Sequence, residues 1–310
     1  MPTIVAYLDI LGFSSYTEMD LAGAISVLSH QRNILDQKLV DGRDWPAASY
    51  KDPGLARVAE AHLVDSFLHL LPGSDSTFLV SEEPDKFICQ LSNLLLECLQ
   101  LVGDAYANTD TPRQPESVEI RDFTNGPLKR ENWFPPLWRG GLATGTLQNF
   151  PVTGIERHKR VTTSNLAGTA VVKAVRAADT ARGPRLFCET GFEQHFGDAF
   201  RPFFRRVNTS MSELLWPAFK YIDGNNPRVD VNLFDDLWRP AVALWKSKVA
   251  LWESKKGQST FEHYDEFLRL LIRSFVAWGD TVGVGNEAKT LARHRIQADL
   301  NESFIGMYLD

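Results

Sequence analysis

Cysteine is scarce in this chain. Cys89, Cys98 and Cys188 are the only three among 310 residues, and none forms a CxxC pair. An odd, scattered set of thiols excludes a disulfide-stapled fold and fits reduced cysteines in a cytosol. Long apolar runs are missing too. No stretch approaches the ~20 residues of a membrane span, so no membrane partner is expected. The opening MPTIVAYLDILGF places no Lys or Arg before its apolar run, and Asp9 interrupts that run. It makes a poor secretory signal, and the expected location is cytoplasmic. There is no excess of positive charge: 33 Lys and Arg face 39 Asp and Glu, for a net −6. That argues against sequence-independent nucleic-acid binding, which needs a dense basic face, but leaves a nucleotide substrate open. The seven histidines never fall at HExxH spacing, so zinc is not expected.

What is present is the composition of a globular protein, 44% hydrophobic and 11% aromatic. Residues 4–9 predict a buried strand ending at Gly12, and a helix is expected from near Asp20 to Val40, with Leu21, Ala24, Ile25, Leu28 and Leu35 at helical spacing. Residues 41–56 read as loop. A second strand is expected over 57–71, centred on His62–Leu68 and closed by Pro72-Gly73, with Phe78-Leu79-Val80 as a short partner. Pro84 fits the first turn of a helix reaching about Ala107. Residues 108–135 read as an inserted loop, and Trp138–Gly145 as a glycine-bearing strand. A helix is expected from about Asn165 to Asp179, then strands at Arg185–Cys188, Phe203–Val207 and Ala218–Ile222. Beyond about residue 225 the pattern is helical only. Trp238, Trp245 and Trp252 recur every seven residues there, which fits helix packing better than a ligand cage. The order of elements predicts an α+β fold with a largely antiparallel sheet.

Two carboxylates stand out. Asp9 ends one apolar strand, and Asp65 sits inside the other expected one. A carboxylate in such a place costs several kcal/mol unless it is paired or binds a cation. Side by side, the two would make a hard oxygen site suited to Mg²⁺ or Mn²⁺. Each could instead cap a strand or pair with a lysine. The turn Ile10-Leu11-Gly12-Phe13-Ser14, leading into a helix, offers backbone N–H groups that could cradle phosphates.

Asp9-Ile10-Leu11-Gly12-Phe13 resembles the first metal-binding motif of the class III nucleotide cyclases. Asp65-Ser66 is similar to the family's second metal aspartate. Arg139-Gly140-Gly141-Leu142-Ala143-Thr144-Gly145 resembles its Arg-x-Gly strand, and Gly168–Arg176 its signature helix. The resemblance covers roughly residues 3–225. It implies a ferredoxin-like cyclase domain over 1–225 and a helical extension over 226–310. The family's helix Asn falls at Val172, whereas its phosphate-binding Arg is kept at Arg176. The two purine-reading positions hold Ala61 and Asn165. That pattern looks most like the pyrimidine cyclases of bacterial Pycsar anti-phage systems. The resemblance therefore implies a homodimer with shared sites that converts UTP, or alternatively CTP, to the 3′,5′-cyclic nucleotide and pyrophosphate. The product then acts on a separate effector. Asp9, Asp65 and the Ile10 carbonyl would hold two divalent cations, Mn or Mg. Leu11, Gly12 and Phe13 would contact the phosphates, with the Phe13 ring near the nucleotide. Arg176 would serve the phosphorus centre in trans. Asn165 would read the pyrimidine edge, although a helix N-cap explains it as well. The family's triphosphate lysine stays unplaced among Arg205, Arg206 and Lys220. The rival of a different class is a degenerate cyclase fold that binds nucleotide and regulates a partner without turnover.

Overall fold

The structure is a computed structural model. It describes residues 2–19, eight positions between 21 and 35, and residues 60–61, 63–107, 117–120, 129–132, 137–156, 159–180, 182–222, 228–248, 255–301 and 304–309. Strand β1 (Ile4–Ile10) leads into the short helix α1 (Phe13–Met19). A hairpin of β2 (His69–Pro72) and β3 (Ser76–Ser81) precedes α2 (Pro84–Ala107). Next come the small pair β4 (Ser117–Ile120) and β5 (Lys129–Asn132), then β6 (Trp138–Thr144). A second hairpin, β7 (Gln148–Glu156) and β8 (Lys159–Ala167), stands outside the main sheet and runs into α3 (Thr169–Asp179). Strands β9 (Leu186–Glu189), β10 (Phe204–Arg206) and β11 (Met211–Leu214) follow. The chain finishes with α4 (Val231–Lys248), α5 (Lys255–Val282), α6 (Gly285–Asp299) and α7 (Ile305–Leu309).

The main sheet has seven strands in the order β10-β11-β9-β6-β1-β3-β2. Only the β6–β9 pair is parallel. The expected α+β fold with a largely antiparallel sheet is therefore present, with helices on both faces and further helices at the C-terminal end. Among the described residues, no helix is long and apolar enough to cross a membrane.

Strand β1 reads as nearly continuous apolar sequence because both of its faces are covered. Ile4, Ala6, Leu8 and Ile10 join Phe87, Leu91 and Leu95 of α2 and Phe267 and Phe275 of α5 in one large core. Val5 faces the other way, with Val80, Ala143, and Ala170 and Ala174 of α3. Helix α3 lies close on the sheet because Ala170, Ala174, Ala177 and Ala178 form its buried stripe. Gly141 of β6 completes the fit, since a Cβ there would collide with the Ala174 carbonyl. The only half-buried positions of β1 are Tyr7 and Asp9, two residues apart and so on one face.

Several expectations are corrected. The strand expected over 57–71 is confined to His69–Pro72, and Asp65 lies on a turn before it. The loop of 41–56 and His62 fall outside the described residues, while the described positions of the helix expected from Asp20 to Val40 are helical. The loop expected over 108–135 contains β4 and β5. The helix expected to open at Asn165 opens at Thr169, because Asn165 is still paired with Phe150 in the hairpin. Ala218–Ile222 is no strand; Trp216–Tyr221 forms 3₁₀ turns, and Pro217 cannot donate to a sheet ladder.

The C-terminal helices share the sheet's core rather than forming one of their own. Trp238 and Trp245 are buried in it, and the Trp238 indole donates to Asp299 Oδ2 at 2.7 Å. These two members of the tryptophan stripe serve packing; Trp252 lies outside the described residues.

Candidate functional site

The end of β1 builds the site. Register sets Asp9 between Arg139 of β6 and Ser76 of β3. Arg139 Nε and Nη2 both lie 2.7 Å from Asp9 Oδ2. Among the described residues, Asp9 Oδ1 accepts no bond. Burial pushes the Asp9 carboxyl above its usual range, opposed by the Arg139 hydrogen bond and charge. Two further carboxylates, Asp75 and Asp179, add to the rise. Asp179 ends α3, which runs antiparallel to β6 and so finishes over the Asp9 end of the sheet. Asp75 sits in the β2–β3 turn, and its carbonyl accepts from the Ile10 N–H at 2.9 Å. Half-buried Asp9 and Asp75, with exposed Asp179 nearby, repel one another and favour a cation among them. Asp9, Asp75 and nearby main-chain carbonyls are hard oxygen donors, which fit Mg²⁺ or Mn²⁺. No group of three or more His, Cys, Asp or Glu side chains at metal-binding spacing occurs among the described residues. A site of this kind would need water or substrate oxygens to complete the shell.

Asp65 is elsewhere employed. Lys86 Nζ of α2 lies 2.6 Å from its Oδ2, and Gln90 Nε2 lies 2.5 Å from its Oδ1. Gln90 also accepts from the Ser66 N–H and hydroxyl. Burial raises the Asp65 carboxyl, but the Lys86 and Gln90 hydrogen bonds outweigh it and hold the group below its usual value. This is a clamp fastening the turn to α2. The carboxylate beside the Asp9 end of the sheet is thus Asp75, in the turn next to Asp9's β3 partner Ser76, and sequence reasoning missed it. Asp65-Ser66 and Asp75-Ser76 both precede apolar runs, so the two motifs look alike. The Pro72-Gly73 turn was the available signal, since it puts Asp75-Ser76 at the tip of the hairpin beside β1.

The other expected site residues scatter. The Leu11 N–H donates to the Leu137 carbonyl at 2.8 Å, so it is not free for a phosphate. Gly12 takes φ +74°, a left-handed turn that an L side chain would strain, with open space where a Cβ would be. The Phe13 ring packs on Ala24 and Val27. Ile10 buries its side chain in the core. Asn165 lies on β8, and its Oδ1 accepts from the Leu166 N–H at 2.8 Å, so the N-cap explanation fails. Arg176 is exposed on the last turn of α3, three residues before Asp179, and no bond to Asp9 is made from it. Val172 is exposed on the same helix. Ala61 falls in a short helical stretch ahead of the Asp65 turn. Of the three basic candidates for a triphosphate, Arg205 is bound to buried Glu213, Lys220 lies 3.5 Å from Asp236, and Arg206 donates to the Asn208 carbonyl. All three cysteines are free thiols; burial pushes the Cys89 thiol up to about 12, which makes it unreactive.

Comparison with protein-family models and with curated proteins finds no match to this chain.

Proposed function

We propose that the chain is a pyrimidine nucleotide cyclase of the class III type, which forms 3′,5′-cyclic UMP from UTP as a signal in anti-phage defence. The observation that carries the reading is that the hairpin carboxylate Asp75 lies near Asp9 at one end of the sheet, where its charge raises the Asp9 carboxyl and its carbonyl accepts from the Ile10 N–H. The strand order β6-β1-β3-β2, with β1, β2, β3 and β6 met in that order along the chain, supports the ferredoxin-like core expected of such cyclases. The fold of residues 1–225 and the motifs of Asp9–Phe13 and Gly168–Arg176 support the same assignment.

In this reading Asp9 and Asp75 would hold two divalent cations, Mn or Mg, with the Ile10 carbonyl as a main-chain donor. When bound, those ions supply Lewis-acid activation of the 3′-hydroxyl and neutralise charge on the departing pyrophosphate. The chain's own groups do the rest. Asp9 and Asp75 would hold the α-phosphate at the end of β1 only through bound cations. Arg139, which is bonded to Asp9 Oδ2, would have to share or release that oxygen for Asp9 to hold a cation. The Gly12 turn gives the phosphates a close approach without a side chain. Ala61 and Asn165 leave no charged pair to read a purine.

Arg176 supports a homodimer with shared sites. Its side chain is exposed on α3 and so is accessible to a second copy. The β7–β8 hairpin also calls for a partner. Residues 159–165 are exposed throughout, Ile155 is 80% exposed, and an isolated two-stranded hairpin is marginal in water. A second copy would cover it and receive Arg176. Mixing Asp75→Ala with Arg176→Ala should then restore part of the activity that each variant lacks, because one heterodimer site is whole. Full activity from a monomer in sedimentation and assay would refute the shared site.

A nucleotide-binding regulator without turnover is the second reading. The Asp9–Arg139 pair favours it, because a carboxylate already neutralised by arginine attracts a cation less. One assay decides. Purified protein with Mn²⁺ and equal ATP, GTP, CTP and UTP should yield cyclic UMP as the main product. Dominant cyclic CMP changes only the base, dominant cyclic AMP or GMP removes the pyrimidine reading, and no product with retained binding leaves the regulator.

A further inference from the structure

The face of the sheet that carries Asp9 continues as an open aromatic shelf. Moving along the strands away from Asp9, the next cross-strand row is Gly141, Tyr7, Phe78 and Leu71. Tyr7, Phe78 and Leu71 are half-buried, on the same side as Val5 and Val80. The Tyr7 and Phe78 rings lie 4.9 Å apart at 43°. Helix α3 covers the Gly141 side of this face through Ala174 and Ala177, while the side of β3 and β2 is left partly open. The row beyond holds Val5, Val80 and His69. There Asn149 Nδ2 of the β7 base comes to 3.5 Å from His69 Nδ1. Asn149 pairs with Leu166, whose side chain is buried against the shelf's cluster, so Asn149 is on the inward face of that hairpin. Asn165, its neighbour in the next pair, is on the outward face.

We propose that Tyr7 and Phe78 form the stacking platform for the pyrimidine ring, with Asn149 and His69 at its polar rim. This rests on the reading of Asp9 and Asp75 as the phosphate and cation end. Aromatic side chains on adjacent central strands are a known way for a sheet to stack bases, because every base presents a π-face. The row of Asp9 and the row of His69 are four residues apart, about 13 Å at the rise of a β-strand, which suits an extended nucleotide. The Tyr7 hydroxyl is anchored by Ser76, and burial together with Asp9 and Asp75 keeps it protonated. The shelf is apolar enough to accept a base, and its rim supplies an amide and an imidazole for the ring edge. It serves the nucleotide held at its own Asp9, or that of the second copy across a dimer interface. The substitutions below report on it in either case.

The test is calorimetric titration with Mn²⁺ and two ligands, 3′-deoxyuridine triphosphate, which cannot be cyclised, and inorganic tripolyphosphate. Phe78→Leu and Tyr7→Leu should weaken the nucleotide roughly tenfold or more, as expected for the loss of a base stack, and leave tripolyphosphate unchanged. Tyr7→Phe, which keeps the ring, should bind like the parent. Equal weakening of both ligands, or of neither, overturns the platform while the phosphate site stands. If Asp9→Ala changes neither ligand's affinity, the reading beneath it is overturned and the platform falls with it. Thermal unfolding of each variant identifies any loss due to misfolding, and Tyr7→Phe remains a discriminating variant if a leucine variant fails to fold.

Discussion

Asp75→Ala should bring cyclic nucleotide formation down to background, as should Asp9→Ala, whereas Asp65→Ala should keep most of it. The contrast follows from where each carboxylate is held. Asp75 lies in the turn next to Ser76, the β3 partner of Asp9, and its charge raises the cost of charge on Asp9. Arg139 offsets that repulsion only in part, and a divalent cation would relieve the rest, so removing either carboxylate should weaken cation binding. Asp65 already has its partners in Lys86 and Gln90. Its loss should cost about 1 kcal/mol of stability, since the ion pair is partly exposed and one hydrogen bond goes with it. The fold should survive Asp9→Ala as well, because Arg139 retains access to water. Mn²⁺-dependent turnover measured on all three variants, beside a urea unfolding curve for each, settles the matter. Activity that survives Asp75→Ala but is lost with Asp65→Ala would falsify this pairing.

A loss of about 3–5 kcal/mol is expected for Glu213→Gln, the usual consequence of breaking a buried ion pair. Glu213 is fully buried on β11 and is gripped from two sides. Arg185 Nε lies 2.5 Å from Oε1 and Nη2 lies 2.9 Å from Oε2, while Arg205 Nη2 also lies 2.9 Å from Oε2. The same Arg185 reaches Glu266 of α5 at 2.9 Å. The network therefore joins the edge of the sheet to a C-terminal helix, and removing the carboxylate would strand Arg185 with one partner. Burial pushes the Glu213 carboxyl up, but the hydrogen bonds and charges of Arg185 and Arg205 hold it below its usual value. A depressed folded value means that this stabilisation is complete above the ordinary carboxylate range. It is lost as pH falls through the depressed value. Glu213→Gln should accordingly unfold at lower urea near neutrality and show a flatter acid limb. An unchanged midpoint together with an unchanged acid limb would mean that the network adds nothing.

Much of the scaffold was legible in sequence. The continuous apolar run of β1 signals a strand buried on both faces. Helix α2 begins at Pro84 and ends at Ala107 as its periodicity implies, because proline opens a helix well and seven apolar residues keep one stripe. The β7–β8 hairpin was not legible. Its strands are polar and exposed, so neither face carries the alternation that marks a strand half-buried in a domain. The helical start at Asn165 was misjudged for the same reason: Asn can cap a helix or sit in a strand, and local sequence does not choose between them.

The sequence alone determined that Asp9 is anomalous, because a carboxylate at the end of an apolar strand needs a partner wherever the strand lies. It also determined the small residues of α3 and the glycine at 141, whose lack of bulk is written in their identity. Only the tertiary structure decided which carboxylate answers Asp9. Asp65 and Asp75 are each followed by serine and an apolar run, and the choice depends on strand register, a property of two segments together. Ile10 bonds to the Asp75 carbonyl because the β2–β3 turn is brought against the end of β1, while α2 draws Asp65 aside through Lys86 and Gln90. Pairing between segments distant in sequence arises from burial and backbone hydrogen bonding across the whole sheet, and a local motif carries no record of it.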